Sequence, residues 1–186
     1  MNYKIVRAKD FTDVKDFVCG VRELDSHRMY WEDYSIHHIA VFYFVKEVSS
    51  NELVAAFALR NDSLVLDEDD KDDMRSGIAP SPIMHSRSFK DIFYNFKSYP
   101  AIELSLLVVS KRHQRCGLGR CLINEIINII RSNSYSGCIF MTVDAIARHG
   151  YYSTVGFYNK LGFCNCTPVP VGGIQRMYIP LTSNAG

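Results

Sequence analysis

The chain has 186 residues, is 47% hydrophobic and 22% charged, and carries a formal net charge of +1. These are the values of one globular domain that buries ~70% of its unfolded surface. They exclude a strongly cationic binder of nucleic acid or anionic membrane. The opening residues, Met1-Asn2-Tyr3-Lys4-Ile5, lack a signal peptide's apolar core, and no run reaches the ~20 apolar residues of a membrane span. A cytoplasmic protein is expected.

In chain order, residues 3–8 read as a first strand around Ile5. Asp10 or Thr12 can cap a short helix containing Val14, Phe17 and Val18, which Cys19-Gly20 breaks. The spacing of Leu24, Arg28, Trp31 and Ser35 predicts one helix over 23–34, its face widened by Met29, Tyr30 and Tyr34. His27, Trp31, His37 and His38 add rings, so the segment either packs on a sheet or walls a substrate cleft. Residues 39–46 and 53–59, rich in Val, Phe and Tyr, flank a Ser-Ser-Asn-Glu turn and predict a hairpin.

Residues 64–100 are less legible. The run 67–73 holds six acids against one lysine and reads as a solvated loop or helix start, or else as an attractor of a cationic acceptor. Ala79-Pro80-Ser81-Pro82 marks an irregular connection. Phe89, Ile92, Phe93 and Phe96 suggest a helix over 85–97 lying across a cleft.

The near-continuous apolar run 101–109 predicts a central strand. Glu103 interrupts it, on the strand face of Ser105, Leu107 and Val109. A carboxylate there is either ion-paired or a general base. Next comes Gln114-Arg115-Cys116-Gly117-Leu118-Gly119-Arg120, and then an isoleucine-rich helix over 118–131. Strand, glycine loop and helix in that order aim backbone N–H groups at an anion. Gly117 and Gly119 carry no Cβ, so a phosphate can reach the main chain. Lys111, Arg112, Arg115 and Arg120 surround the turn, with no acid between Lys111 and Arg120. The loop lacks the Gly-Lys-Ser/Thr of a P-loop and the third glycine of a dinucleotide loop.

Residues 132–137 end that helix, and 138–145 predict another buried strand. Gly156-Phe157-Tyr158-Asn159-Lys160-Leu161-Gly162-Phe163 places Tyr158 on a short helix stopped by Gly162, with a strand beginning at Phe163. A last strand covers 174–181. The six cysteines are scattered, as in a reducing compartment. Cys164-x-Cys166 has no C-x-x-C or His-x-x-His companion, so no metal is expected.

Q-x-x-G-x-G from Gln114, followed about 40 residues later by F-Y-x-K-x-G-F, resembles the two hallmarks of the GNAT N-acetyltransferases. The resemblance spans residues 3–181 and is specific over 101–163. It implies an α/β fold, the GNAT acyl-CoA N-acyltransferase fold, as a single domain over 1–186. Its six- or seven-stranded mixed sheet has splayed central strands flanked by helices. It further implies acetyl-CoA as co-substrate, no metal, and transfer of the acetyl group to a primary amine by direct attack. Main-chain groups of Leu107, Val108 and Val109 would pair with the pantetheine arm, and the Val109 N–H would polarise the thioester carbonyl. Backbone N–H groups of Arg115, Cys116, Gly117, Leu118, Gly119 and Arg120 would hold the pyrophosphate, with Gln114 opening the loop. Tyr158 would protonate the CoA thiolate, a task suited to a phenol of pKa ~10. Glu103 stands where several relatives carry a base.

Tyr151 departs from the Asn that many relatives have seven residues before the motif tyrosine. The toxin-type GNAT proteins that acetylate aminoacyl-tRNA are the more similar subset. They share a C-G-x-x-E-L-D-like segment, here Cys19 to Asp25, a Val143-Asp144-Ala145 segment, and a strand like Phe57 to Ser63. Against tRNA as acceptor stands the near-neutral charge. A non-catalytic acyl-CoA-binding module is the other alternative. A homodimer is compatible with the sequence.

Overall fold

The computed structural model describes residues 2–82, 87–132, 137–148 and 152–181. Its strands are β1 (Tyr3–Arg7), β2 (Val41–Glu47), β3 (Leu53–Leu64), β4 (Tyr99–Val109), β5 (Phe140–Arg148), β6 (Tyr152–Ser153), β7 (Cys164–Asn165) and β8 (Ile174–Pro180). They form an eight-stranded sheet in the order β1-β2-β3-β4-β5-β8-β7, with β6 attached to β5. The helices are α1 (Arg22–His27), α2 (Trp31–Ile36), α3 (Glu68–Ser76), α4 (Arg87–Tyr94), α5 (Leu118–Ser132) and α6 (Val155–Asn159). The expected mixed α/β sheet with flanking helices is present. The strand number rises to eight because β6, two residues long, leaves no periodic signal; β7 is the strand expected from Phe163, two residues long and starting at Cys164.

The chain packs as two compact units, Met1–Arg60 with Leu104–Glu125, and Asn61–Glu103 with Ile126–Gly186. β3, β4 and α5 each contribute to both.

In the first unit, β1 and β2 pair antiparallel, as do β2 and the start of β3, which is the expected hairpin. Asn51, with φ 59°, turns the chain between them. Phe42 and Phe44 pack with Phe17, Trp31, Ala56 and Val108 in one core. The expected helix around Val14 is only a three-residue 3-10 turn, Thr12–Val14, with the Asp10 carboxylate accepting the Thr12 N–H at 2.9 Å. Val14 and Phe17 are buried and Val18 is exposed.

The single helix expected over 23–34 is two six-residue helices, α1 and α2, joined by a 3-10 turn at Arg28–Tyr30. Helices this short are marginal alone, so packing sets their breaks. Only Trp31 of the ring-rich face is seated, tilted against Phe17 and stacked at 5.8 Å on Phe42. Met29 is 71% exposed, and Tyr30 and Tyr34 stack on each other at the surface.

In the second unit, the acidic run is the start of α3. Asp67 caps it, its carboxylate accepting the Asp70 N–H at 2.8 Å, while the Asp70 carboxylate accepts the Asp67 N–H at 3.4 Å. Acids crowd this end because the helix dipole and free N–H groups favour negative charge there. Gly77, φ 80°, ends the helix in the left-handed region. Of the helix expected over 85–97, α4 accounts for Arg87–Tyr94. Its lead-in at 83–86 and the Phe89 side chain lie outside the described residues, as does 133–136, where α5 was expected to end. Phe93 is buried, whereas Ile92 and Phe96 stay exposed.

Phe140 is the hub of this unit's core. It meets Tyr178 edge-on at 5.7 Å, Tyr99 at 5.6 Å and Phe93 at 6.3 Å. Phe140→Ala is expected to cost about 3–5 kcal/mol of stability, the range for a buried aromatic, as read by denaturant titration. β4 and β5 pair in parallel only from Ala101 with Phe140 to Glu103 with Thr142, although β4 runs on to Val109 and β5 to Arg148.

Candidate active site

The glycine loop lies in the first unit. β4 ends where the Ser110 N–H donates to the Val54 carbonyl at 2.8 Å. A 3-10 turn, Lys111–His113, follows, and the His113 carbonyl accepts the Cys116 thiol at 2.8 Å. Arg115 and Gly117 both take positive φ, 61° and 86°. A Cβ on Gly117 would meet no protein atom within 4 Å, so that face of the loop is open space. Leu118 is buried and seats the first turn of α5 in the core. Its later core positions are Leu122, Ile123, Ile126 and Ile130, close to the face read from the sequence, while Ile129 is half-buried.

The α5 ladder begins with the Cys121 N–H, which donates to the Gly117 carbonyl at 3.1 Å, so the N–H groups from Gly117 to Arg120 stand ahead of it. Four N–H groups ahead of a helix ladder are the arrangement that binds an anion. Lys111, Arg112, Arg115 and Arg120 are all exposed around them. Arg112 stands 3.7 Å from Glu52, a solvent-screened pair. Gln114 does something the sequence did not show. Its side-chain Nε2 donates to the Cys19 carbonyl at 2.7 Å and to the Val109 carbonyl at 2.9 Å. Of the residues expected along the pantetheine arm, Val108 points into the core, while Leu107 and Val109 are half-buried.

Tyr158 and Glu103 belong to the second unit. Tyr158 sits on α6, which Thr154 fastens to β5: the Thr154 N–H donates to the Ile146 carbonyl at 2.8 Å, and its Oγ1 accepts the Ile146 N–H at 2.9 Å. Gly162, φ 88°, stops the helix turn as expected. The Tyr158 ring is wedged between Phe157 at 5.0 Å and Phe163 at 5.2 Å and is only 6% exposed. Burial, and secondarily Tyr152, push its phenol well above the ordinary value, so it keeps its proton at neutral pH. Tyr151 lies outside the described residues.

Glu103 is 4% exposed and faces Arg176, Oε2 to Nη1, at 3.5 Å. Arg176 also holds Asp144 at 3.0 Å, and it holds Asp62. The Thr142 hydroxyl donates to Asp62. One guanidinium thus gathers carboxylates from β3, β4 and β5 at the last rung of the parallel ladder. This is the ion-paired alternative for Glu103, realised. Arg176 was missed as its partner; its signal was a cation within a strand that is otherwise uncharged.

Three of the thiols, Cys19, Cys138 and Cys166, are held protonated by burial, which pushes Cys19 and Cys138 up to about 11 and Cys166 up to about 12. Among the described residues, no group of three or more His, Cys, Asp or Glu could hold a metal ion.

A family model described as "Acetyltransferase (GNAT) family" matches residues 16–163. The chain belongs to the GNAT acetyltransferase family. It is an acetyltransferase, and acetyl-CoA is its co-substrate. GNAT folds with a close likeness include a crystal structure of a KacT mutant, with TM-score 0.69, 15% identity, and coverage of 97% of this chain and 96% of that one. Another is AtaTR bound with AcCoA, with TM-score 0.68, 18% identity, and coverage of 97% and 94%. A third is AtaT complexed with acetyl-methionyl-tRNAfMet, with TM-score 0.67, 17% identity, and coverage of 96% and 95%. At such identities the likeness is one of fold. No curated protein matches the sequence significantly.

Proposed function

We propose that this GNAT protein transfers the acetyl group of acetyl-CoA to a primary amine by direct attack, as one domain, in the cytoplasm. The observation that carries the reading is the row of amides from Gly117 to Arg120 ahead of the α5 ladder, ringed by exposed cations. They would hold the diphosphate of CoA, with Leu107 to Val109 pairing with its pantetheine arm. The amine must first be neutral, and a lysine-like ammonium with pKa ~10.4 needs a proton acceptor. We assign that proton to Glu103, acting through water, since it stands where the family resemblance expects a base; the ion pair with Arg176 orients its carboxylate. The nitrogen then bonds to the carbonyl carbon, and the oxyanion receives the Val109 N–H. The oxyanion collapses to the carbonyl, the C–S bond breaks as the phenol of Tyr158 gives its proton to the departing thiolate, and the nitrogen releases its second proton to solvent. Solvent returns a proton to the phenol. The six free thiols fit a reducing cytoplasm, and no helix among the described residues is long and apolar enough to cross a membrane.

Aminoacyl-tRNA is the more specific acceptor reading. It is supported by the fold's likeness to AtaT in complex with acetyl-methionyl-tRNAfMet and by the segments around Cys19 and Val143. The net charge of +1 weighs against it. The test is release of free thiol from acetyl-CoA in the presence of polyamines, lysine peptides and methionyl-tRNA. Turnover with methionyl-tRNA, together with arrested translation on expression, selects the tRNA reading. Turnover with an amine alone removes it. Tight CoA binding without turnover across the whole panel overturns the enzymatic reading in favour of a binding module.

A further inference from the structure

The Cys19–Asp25 segment takes no part in the chemistry above, yet it is bonded directly to the cofactor loop. Within the first unit, the Asp25 carboxylate accepts two successive backbone N–H groups, Cys19 at 2.8 Å and Gly20 at 3.0 Å. The carbonyl of the same Cys19–Gly20 peptide accepts Gln114 Nε2 at 2.7 Å. A peptide unit is planar, so its N–H and C=O turn together. Asp25 grips one edge of this plate and Gln114 the other. Gln114 has two amide hydrogens, and the second goes to the Val109 carbonyl. Both partners are carbonyl oxygens, so the nitrogen must face them. Gln114 is therefore a strut between the plate, the end of β4 and the loop, with no amide hydrogen left for a ligand.

Two further features close this seam. The Lys111 N–H donates to the Val18 carbonyl at 2.9 Å, and the Arg28 guanidinium donates to the Phe17 carbonyl. Gly20 has φ +82°, and a Cβ there would stand 3.4 Å from Lys111 Cδ. Cysteine, glycine and aspartate at these three places thus have separate physical reasons. The thiol fills a buried site, the glycine allows the turn, and the carboxylate caps it.

We propose that Asp25 is a positioning residue for the acetyl-CoA loop: it fixes the Cys19–Gly20 peptide, which holds Gln114, which sets the backbone that the diphosphate meets. This rests on the reading of Arg115 to Arg120 as the diphosphate site. The test measures CoA affinity by calorimetry for Asp25→Ala, Gln114→Ala and the double variant. A hydrogen-bonded charge lost from such a chain is expected to weaken CoA by roughly tenfold in each single variant. The double variant should lose little beyond the weaker single, because both act through one peptide. Ligand-free amide NMR supplies the second measurement: the Gly117 and Gly119 resonances should move in Asp25→Ala, though Asp25 touches neither. Asp25→Asn keeps one accepting oxygen and serves if the alanine variant does not fold. Unmoved loop amides, unchanged CoA affinity in a folded variant, or full additivity each overturn the proposal. Failure of the native chain to bind CoA overturns the site reading instead, and the ligand-free shifts still decide the strut.

Discussion

Replacing Tyr158 by Phe should lower the turnover number by about 10²-fold or more, the lower end of what a positioned general acid supplies. CoA affinity should stay within about twofold of the native value, since only interactions special to the transition state are lost. The variant is a clean one. The ring remains between Phe157 and Phe163, so its packing is kept. Thermal stability should therefore be nearly unchanged. The pH profile adds a check. Because burial holds the phenol above its ordinary value, the protonated form persists as pH rises, so any alkaline loss of rate below pH ~10 must have another source. The measurement is single-turnover thiol release with whichever acceptor the panel yields. A Phe variant with native turnover would remove Tyr158 from the chemistry and leave it as a packing residue.

Gly117→Asp should abolish measurable CoA binding while leaving the fold intact. Aspartate tolerates the left-handed region better than most side chains, and the space beside Gly117 is empty of protein atoms to 4 Å. The new side chain would occupy that space and set a negative charge beside a diphosphate. Two like charges ~4 Å apart near a surface repel strongly enough to cost about a hundredfold or more in affinity. Gly117→Ala, which adds only the Cβ and the backbone strain, should fall between native and Asp. Calorimetry with CoA and a thermal melt of each variant separate loss of binding from loss of fold. If Gly117→Asp binds CoA as the native chain does, the diphosphate sits elsewhere.

How much of this was legible beforehand depended on whether a local rule applied. The loop was readable because positive φ at Gly117, the helix start at Leu118 and the stop at Gly162 are local demands met by particular residues. The acidic run became a helix start for an equally local reason, capping and dipole. Glu103 was only half legible. A buried carboxylate needs a partner, but Arg176 is far along the chain and reaches it only because β4, β5 and β8 lie side by side. Helix α1 and its continuation were misread as one rod because a periodic pattern fixes a face without saying which rings find a core. Trp31 found one, and Met29 did not.

From the amino-acid order alone came the mixed α/β class, the glycine loop ahead of an isoleucine-rich helix, and the tyrosine on its short helix. Each is a short-range consequence of backbone freedom, capping and hydrophobic period. Tertiary structure decided what each polar group holds: Gln114 the Cys19 and Val109 carbonyls, Asp25 the neighbouring amides, Arg176 three carboxylates from three strands. Hydrogen bonds and ion pairs act over about 3–4 Å. Partners at that range can be separated by many residues of chain, and only packing brings them together.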